Sequence, residues 1–578
     1  MRYCSQLKAS ERRVLYVMKN KNIKWIITII ITICLCAAVF GTIVSADNVI
    51  YVNPNGETIS SLKGLYVLGG SGTAGALTAN SVWAMTASGL ENIGGDGSGT
   101  GTGGGGYVAP EAPPTGTIAV PVSTVRIGLD YYYSASRNST LAFATLDNYI
   151  GSGFAFGYYD SNRTFRELGR TGKTALTIVV DRNTTVSGVT IGCYHLKLPG
   201  TYADYDSAAA AASSYTGGFP AYYNGTFYVL VGNYNSATAA AEALNYGIYG
   251  EVFTASDRCV AVVERGTNKI LFEYDCGTSS SLAVRPLSAN GKAVTEYNDG
   301  NRYYGDFEFT RYKGLNMTVV NVLPIEDYVK GVVPYEMSSS WPLEALKAQA
   351  CCARTYMVSN YKSYNSFGFD VTDDTYCQAY LGTKSANATT DRAVDETAGL
   401  YITYGGQFCN TTYFSSDGGA TEDSENVFSS VVPYLRGVVD PFEDAIDFTY
   451  KTWTKTMTAA QITTRLRNYG YSISTVVSVV PEYTRMGNMA KITFRDVNGK
   501  TITVSKSNCY SVLGLNSIRF TIEKTANGDY LIKGGGWGHN VGMSQWGAYS
   551  MASVYGYSYA EILGFYYTGI TISKGIPS

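Results

Sequence analysis

Glu336 is an isolated acid in an apolar stretch, between Tyr335 and Met337 and shortly before Trp341. Desolvation disfavours the charged form of a carboxyl group, so an apolar setting raises its pKa. A carboxyl that holds its proton near neutral pH can act as a general acid. A loop glutamate that caps the following helix is the alternative interpretation of Glu336.

The helix after this acid is predicted over residues 342–360, where apolar residues recur at helical spacing, namely Leu343, Leu346, Ala350, Ala353 and Met357. The stretch 331–336 before it is interpreted as extended chain. Glu344 and Lys347 are expected to form a solvated ion pair. Arg354 either orders a buried polar network or contacts a substrate.

The composition is that of a globular chain rich in strands and turns. Of 578 residues, 45% are hydrophobic, 49 are Tyr, 63 are Gly and only 16% are charged. Tyr favours strands and Gly favours tight turns. The formal net charge is −2, and the Lys and Arg residues are scattered rather than clustered as in nucleic-acid-binding proteins. We expect no nucleic-acid partner.

Residues 25–44 form an apolar run without a charged residue, and Lys19, Lys21 and Lys24 precede it. A basic flank before such a run is typical of export segments, and its length can span a bilayer. Val-Ser-Ala at 44–46 has the form of a cleavage site. Residues 1–46 are therefore either a signal peptide or a membrane anchor. Both interpretations place the remainder outside the cytoplasm.

Composition divides the rest of the chain into four regions. Residues 47–121 are low in complexity and contain a Gly-rich linker. Residues 122–188 hold short strand-like runs. Residues 189–265 show strand, Ala-rich helix and strand twice, which is a ferredoxin-like plan. Residues 266–578 mix strands with a few helices, including one predicted near 544–556.

These patterns predict an α+β fold. We expect a mixed, mostly antiparallel twisted sheet core with a few helices, and a ferredoxin-like βαβ-βαβ unit inserted as a second domain.

Cysteine spacing indicates neither a disulfide scaffold nor a zinc ribbon. Of 11 cysteines, eight follow the apolar run at irregular spacing without a Cys-x-x-Cys pair, namely Cys193, Cys259, Cys276, Cys351, Cys352, Cys377, Cys409 and Cys509. Buried free thiols, with one or two disulfides at most, are expected.

Residues 227–245, FYVLVGNYNSATAAAEALN, resemble the SPOR domain in having an aromatic and apolar strand, a Gly-x-Tyr turn and an Ala-rich helix. The resemblance implies that the segment 189–265 binds peptidoglycan glycan strands stripped of stem peptides. A purely structural insert is the alternative. His195, within this segment, is expected on the surface of a strand.

Three segments in order, 319–356, 413–440 and 534–569, resemble the SpoIID/LytB family and together span about 320–570. Their most characteristic parts are GVVPYEMSSSWPLEALKAQA at 331–350, SSDGGATED at 415–423 and GHNVGMSQWGA at 538–548. SpoIID proteins are lytic transglycosylases that act on stripped glycan during sporulation. LytB proteins are amidase enhancers without a settled catalytic activity. The resemblance implies an extracytoplasmic cell-wall protein that needs no cofactor.

The resemblance places the catalytic glutamate at Glu336. It would protonate the glycosidic oxygen between N-acetylmuramic acid (MurNAc) and N-acetylglucosamine (GlcNAc), and then accept the proton of the muramic C6 hydroxyl as a 1,6-anhydro ring closes. The nucleophile belongs to the sugar, so one carboxylate suffices where an ordinary glycosidase uses two. A glycan-binding amidase enhancer, whose partner would be a cell-wall amidase, is the alternative function.

The resemblance also implies a substrate groove, with candidate residues Arg354, Tyr413, Ser415, Gly418, Gly419, Trp537, His539 and Gln545. Trp537 could stack on a sugar ring, and His539 and Gln545 could donate hydrogen bonds. A packed loop with His539 satisfied internally is the alternative. Asn540 stands where the family usually has Gly, which leaves the backbone of this loop in question.

Two other chemistries are disfavoured. Some family members carry a His/Cys zinc site near the position of Cys377, but the dozen residues before Cys377 contain neither His nor Cys, so no metal is expected. A peptidase that uses Cys351 or Cys352 with His539 is a third interpretation. Both cysteines fall inside the predicted helix, without the setting that activates a thiol.

Overall fold

The structure, a computed structural model, describes residues 82–86, 89–94, 116–311, 316–428 and 430–577. It divides into two units, Met1–Pro110 and Glu111–Ser578. In the first unit, Val82–Thr86 and Gly89–Gly94 pair as an antiparallel hairpin. The predicted export segment and most of the Gly-rich linker lie outside the described residues. Within the part that is described, no helix has the length and apolarity to cross a bilayer.

The second unit contains eight described helices of at least eight residues: α1 Tyr205–Ala212, α2 Ala237–Leu244, α3 Ile325–Glu336, α4 Leu343–Ser359, α5 Ala388–Glu396, α6 Ala459–Asn468, α7 Gln545–Ser553 and α8 Tyr559–Tyr566. Ser424–Val427 and Asn508–Ser511 are single helical turns. The predicted helices at 342–360 and 544–556 correspond to α4 and α7. The predicted extended stretch at 331–336 is wrong, because it forms the end of α3.

A ten-stranded sheet forms the larger of two β-layers, in the spatial order Glu251–Thr254, Tyr194–Lys197, Thr226–Tyr234, Gly218–Tyr223, Ile270–Asp275, Val260–Glu264, Ala175–Val180, Phe143–Ile150, Val294–Tyr297 and Arg302–Tyr303. Its neighbours are antiparallel except at one place. Gly218–Tyr223 and Ile270–Asp275 run parallel.

Four strands at one edge of this sheet come from the segment 189–265. With α1 and α2 they follow the chain order strand, helix, strand, strand, helix, strand. Numbered by their order in the chain, these four strands lie in the sheet in the order fourth, first, third, second. The sheet then continues directly into the surrounding strands through the parallel pair. The segment therefore shares its sheet with the rest of the unit.

A seven-stranded sheet forms the second layer, in the order Val371–Thr372, Thr124–Asp130, Met317–Pro324, Asp306–Arg311, Leu282–Leu287, Gly153–Tyr159 and Phe165–Thr171. Its only described parallel pair joins Val371–Thr372 to Thr124–Asp130. Phe156 of this layer stacks on Phe272 of the ten-stranded sheet with ring centroids 5.4 Å apart. The two layers thus share one hydrophobic core.

Smaller sheets complete the C-terminal half. They are Gln407–Phe408, Leu400–Tyr404, Thr571–Pro577 and Gly116–Val120; Tyr413–Phe414 with Met543–Ser544; Trp453–Met457, Tyr530–Gly534 and Phe520–Lys524; and Val476–Tyr483, Met489–Asp496 and Thr501–Ser505. Two-stranded ribbons pair Thr184–Val186 with Val189–Ile191 and Tyr132–Ser134 with Arg137–Asn138. The predicted α+β class with mostly antiparallel sheets is confirmed.

Helix α4 is the centre of the helical layer, and α3, α5, α7 and α8 all pack against it. Thirteen of its residues are buried, including Lys347, Gln349 and Arg354. The predicted Glu344–Lys347 pair forms at 2.8 Å, but the Lys347 side chain is only 7% exposed. The prediction of a solvated pair is therefore wrong for Lys347, because neighbouring helices cover the polar side of α4 as well.

Candidate active site

Helix α3 carries Glu336 as its last residue, so the acid terminates one helix instead of capping the next. Tyr328, Val329, Val332 and Val333 are buried on one face of α3. Pro334 lies in the last turn and has no N–H to donate there, and Met337 closes this turn by donating its N–H to the carbonyl of Val333. The helical spacing of these apolar residues was the available signal for α3.

Gly331 lets α3 approach the loop that holds Glu336 in place. A Cβ at this position would lie 2.4 Å from the ring of Tyr380, so any larger residue would push the loop away. From that loop, the Ala379 N–H donates to Glu336 Oε1 at 2.9 Å. The carboxyl is thereby fixed from the backbone side.

The other oxygen of Glu336 faces two polar side chains. Gln545 Nε2 lies 3.4 Å from Glu336 Oε2, and the Tyr413 hydroxyl lies close enough to the carboxyl to affect its pKa. Burial raises the pKa of Glu336, although its contacts with Ala379, Tyr413 and Gln545 act in the opposite direction. No described Lys or Arg forms an ion pair with it. The group is therefore a partly buried acid whose pKa lies above its ordinary value.

Amide side chains form a second layer around this acid. Tyr413 donates to Gln378 Oε1 at 2.9 Å, and Gln378 donates in turn to the Tyr328 hydroxyl at 2.9 Å. Gln349 Oε1 lies 3.5 Å from Gln545 Nε2. Gln349 is fully buried, and its Nε2 has no hydrogen-bond partner among the described residues. The Gln349 amide therefore has an N–H donor that no described residue accepts from.

A short parallel strand pair brings two distant motifs to Glu336. Tyr413–Phe414 pairs with Met543–Ser544, which places Tyr413 and Gln545 side by side. Ser544 caps α7, accepting from the Gly547 N–H at 3.2 Å, and so fixes the start of the helix that carries Gln545. The strand register and the Ser544 cap together place the side chains of Tyr413 and Gln545 beside the Glu336 carboxyl.

Aromatic rings cluster beside this site. Trp546 follows Gln545 and packs on Trp341 at 4.7 Å and on Phe448 at 4.5 Å between ring centroids. Trp537 lies 4.5 Å from Tyr450 and is 44% exposed. Of the tryptophans on the glycine-rich segment, Trp537 therefore has the ring face that is more open for stacking.

Several predicted groove residues have internal roles. Arg354 is fully buried and forms an ion pair with Glu326 at 2.7 Å. It also donates to the carbonyls of Leu400 and Val394. This environment agrees with the prediction that Arg354 orders a buried polar network. It does not agree with the prediction that Arg354 contacts substrate.

His539 is also packed internally. Its ring lies between Phe414 and Phe428, at centroid distances of 5.2 and 5.3 Å, and its Nδ1 accepts from the Val541 N–H. Burial lowers the pKa of His539 to about 4, so the ring is neutral. Asn540 adopts φ 61° and donates through Nδ2 to the carbonyls of Asp417 and Ala420. The side chain thus compensates for the missing glycine.

A three-carboxyl cluster, Asp417, Asp440 and Glu443, lies beneath this loop and was not anticipated from the sequence. All three residues are buried. Glu443 accepts from the Ser416 and Ser544 hydroxyls and from the N–H groups of Asp417 and Gly418. Gly418 and Gly419 therefore support this cluster. For Ser415, the described contacts are made by its carbonyl, which accepts from the Trp546 N–H.

The thiols near the site are not activated. Cys351 and Cys352 are fully buried within α4, and burial raises the pKa of both, that of Cys351 to about 11. His539 packs on Phe414 and does not act as a base for Cys351 or Cys352. These observations contradict the interpretation as a Cys/His peptidase.

The fold and the site define an α+β protein with a single acid at a helix end. Comparison with known proteins agrees with this description. The family model for Stage II sporulation protein (SpoIID) matches residues 313–404, which include α3, Glu336 and α4.

Three relatives extend the comparison. An uncharacterized protein of Brachyspira hyodysenteriae is 41% identical over 47% of this chain and 73% of its own length. Stage II sporulation protein D of Bacillus subtilis is 36% identical over 46% of this chain and 78% of its own length. The amidase enhancer of Bacillus subtilis is 30% identical over 64% of this chain but only 56% of its own length. The chain belongs to the SpoIID/LytB family.

Proposed function

We propose that this protein is a lytic transglycosylase that cleaves the MurNAc–GlcNAc bond of peptidoglycan glycan strands. The observation that carries the proposal is Glu336, a partly exposed acid whose pKa is raised by burial and which has no cationic partner among the described residues. Family membership points to a role in sporulation or the cell wall, and so to a site outside the cytoplasm.

In the proposed reaction, neutral Glu336 gives its proton to the glycosidic oxygen as the bond to muramic C1 breaks. The C6 hydroxyl of the same sugar then forms the new bond to C1. Its proton passes to the Glu336 carboxylate, which restores the acid. No water is consumed and one carboxyl performs both steps.

The surrounding groups suit this cycle. The Ala379 N–H holds one carboxyl oxygen in place. Gln545 donates to the carboxylate that forms after proton transfer, and the Tyr413 hydroxyl can turn its hydrogen from Gln378 to that carboxylate. A substrate oxygen can replace the long Gln545 contact of 3.4 Å without disturbing the backbone contact.

The test is mass spectrometry of purified, peptide-stripped glycan after incubation with the full chain. We expect 1,6-anhydro-muramic ends, and a loss of about 10²–10⁴-fold in their rate of formation for Glu336→Gln. Glu482→Gln, at an exposed glutamate of the strand Val476–Tyr483, is the matched control and should retain full activity. Reducing ends in place of anhydro ends would contradict the proposal and indicate hydrolysis.

A glycan-binding amidase enhancer is the second candidate function, favoured by the similarity to a relative of that name over 64% of this chain. Glycan binding without any cleavage product, together with faster turnover by an added cell-wall amidase, would establish it. In that case Glu336→Gln would leave the stimulation unchanged.

We further propose that the segment 189–265 binds stripped glycan, as its SPOR-like sequence suggests. Tyr228 is half-buried on the sheet face opposite α1 and α2, and Lys197 lies 5.3 Å from its ring. We expect Tyr228→Ala to weaken cosedimentation with stripped peptidoglycan several-fold. Tyr246→Ala, at a residue that is 87% exposed on the turn after α2, should have no effect. Equal binding by wild type and Tyr228→Ala would favour a purely structural segment.

A further inference from the structure

Four side chains of metal-binding type meet on one face of the ten-stranded sheet, away from Glu336. Asp181 follows the strand Ala175–Val180, His195 lies in Tyr194–Lys197, Cys259 precedes Val260–Glu264, and Glu273 lies in Ile270–Asp275. All four are at most 2% exposed. The expectation that His195 lies on the strand surface is wrong, because the ribbon Thr184–Ile191 and the residues around Phe219 cover this face.

Two overlapping sets of three groups, which share Asp181 and Glu273, are close enough to bind one metal ion. His195 Nε2 lies 3.3 Å from Asp181 Oδ2 and 3.3 Å from Glu273 Oε2. The ligand atoms of Asp181, Cys259 and Glu273 all lie within 4.8 Å of one another. Around a tetrahedral zinc with bonds of about 2.0 Å to nitrogen and oxygen, such ligand atoms are about 3.3 Å apart.

The surrounding hydrogen bonds orient His195 as a ligand. Its Nδ1 lies 2.6 Å from the Gly232 carbonyl, which can only accept, so Nδ1 carries a proton. In the neutral ring the Nε2 lone pair then points at the two carboxylates. Tyr223 donates its hydroxyl hydrogen to Glu273 Oε1. Carbonyl-anchored histidines and hydrogen-bonded carboxylates are the usual second layer of protein metal sites.

Two buried oxygen atoms in this cluster have no hydrogen-bond partner among the described residues, Asp181 Oδ1 and Glu273 Oε2. Leaving such an atom buried and unsatisfied is costly. Glu273 Oε2 is the oxygen that faces His195. A bound cation would satisfy it.

The cluster can also be charge-balanced without a metal, and an experiment must distinguish this state from a zinc-bound one. An imidazolium at His195 would face both carboxylates, and the Arg311 guanidinium donates nearby to the carbonyls of Ser256 and Cys259. In that state the Cys259 thiol keeps its proton and donates to Glu273 Oε1, with the sulfur 2.9 Å away. In a zinc site the sulfur is instead a thiolate bound to the metal. The protonation state of Cys259 therefore distinguishes the metal-free state, which has a thiol, from the zinc-bound state, which has a thiolate.

We propose that Asp181, His195, Cys259 and Glu273 bind one Zn²⁺ ion in a closed, structural site. A four-ligand site of this kind has no open position for substrate. The ion would tie the strand Tyr194–Lys197 to the ends of Ala175–Val180 and Val260–Glu264 and to the strand Ile270–Asp275. The ligands are spread over residues 181–273 without a short spacing motif, so no local pattern marks this site, and the expectation of no metal rested on the residues before Cys377 alone.

Metal content of the full chain is the first measurement. Elemental analysis should find about one zinc per chain in the wild type. Cys259→Ser should hold Zn²⁺ at least about tenfold more weakly in competition with a chelator. Cys276→Ser, at a buried cysteine that packs in the main core instead, is the matched control and should keep the metal. Tyr223→Phe should weaken zinc binding by about tenfold through Glu273.

Cobalt substitution makes the test independent of how well the variants fold. Wild-type chain loaded with Co²⁺ should show thiolate-to-metal charge-transfer absorption and tetrahedral ligand-field bands. A wild type that binds neither Zn²⁺ nor Co²⁺ and whose melting temperature is unchanged by chelator would overturn the proposal. Metal binding without the thiolate band, or retained by Cys259→Ser, would equally overturn this ligand set.

Discussion

Glu336 and the three-carboxyl cluster around Glu443 both have raised pKa values, but they differ in hydrogen bonding and in exposure. Burial raises the pKa of Glu336 and also that of Glu443, in the latter case to about 7 with Asp440 adding to the effect. Glu443 accepts four hydrogen bonds. Glu336 has one close backbone donor and otherwise the long Gln545 contact and the Tyr413 hydroxyl.

The difference shows that burial can raise the pKa both of a carboxyl that is fully hydrogen-bonded inside the protein and of one that is open to a ligand. Glu443 is saturated by four internal donors and lies inside the protein, so it holds the loops 415–423 and 535–545 together, whereas Asp417 Oδ2 of the same cluster has no hydrogen-bond partner among the described residues. Glu336 is unsaturated and partly exposed, so its proton is available to a ligand. A raised pKa alone does not mark a catalytic acid.

The sharpest test of this comparison is the same substitution at both sites. Glu443→Gln places an NH₂ group among four donors, and we expect the free energy of unfolding to fall by about 3 kcal/mol. Urea denaturation at neutral pH measures the loss. If Glu443→Gln is as stable as the wild type, the cluster does not hold these loops together.

Asn540→Ala tests the loop above the cluster. The substitution removes the two hydrogen bonds that Asn540 Nδ2 donates and leaves an alanine at φ 61°. We expect a loss of about 2 kcal/mol in unfolding free energy. Asn540→Gly, which removes the same bonds but accepts this backbone geometry, is the matched control and should lose less.

His539→Gln tests the pH dependence of the same loop. Because burial lowers the pKa of His539 to about 4, the unfolded chain binds more protons between that value and the ordinary histidine pKa near 6.5. Stability due to His539 is thus present above about pH 6.5 and is lost as pH falls toward 4.

Compared with the wild type, His539→Gln should lose about 2 kcal/mol less stability between pH 7.5 and pH 4.5. Chemical denaturation at the two pH values gives the difference, and the carboxyl contributions common to both proteins cancel. Identical pH profiles would mean that His539 is solvated in the folded protein.

Glu336→Gln should have the smallest effect on stability, with the opposite sign to Glu443→Gln. A raised folded-state pKa means that the neutral acid is favoured: its contribution is complete below the unfolded pKa and is lost as pH rises through the folded value. Near pH 8 the variant should therefore be more stable than the wild type by about 1 kcal/mol or less. A clear loss of stability would place Glu336 among the structural carboxyls.

Several local features could be predicted from sequence because short-range periodicity determines them. Helix α4 was predicted at 342–360 and runs over Leu343–Ser359. Helix α7 was predicted near its observed position. Helix α3 was missed, because Gly331, Pro334 and the valines favour extended chain locally, while packing against α4 and the ring of Tyr380 determines the helix.

Side-chain roles were harder to predict than elements. Lys347 and Arg354 are buried because four other helices pack on α4, and the residue pattern of α4 alone does not reveal this. His195 meets Asp181 and Glu273 only because three strands, distant in sequence, are brought together in one sheet. Asp417, Asp440 and Glu443 converge for the same reason.

Residue pattern alone was enough to predict the α+β class, the helix after Glu336 and the three motifs that identify the family. It also pointed to Glu336, because an unpaired acid among apolar residues is visible in the chain. The groups that contact this acid, and the hydrogen bonds that each buried carboxyl accepts, could be found only in the folded structure. Hydrogen bonds and burial depend on contacts between residues far apart in sequence, and no local pattern encodes those contacts.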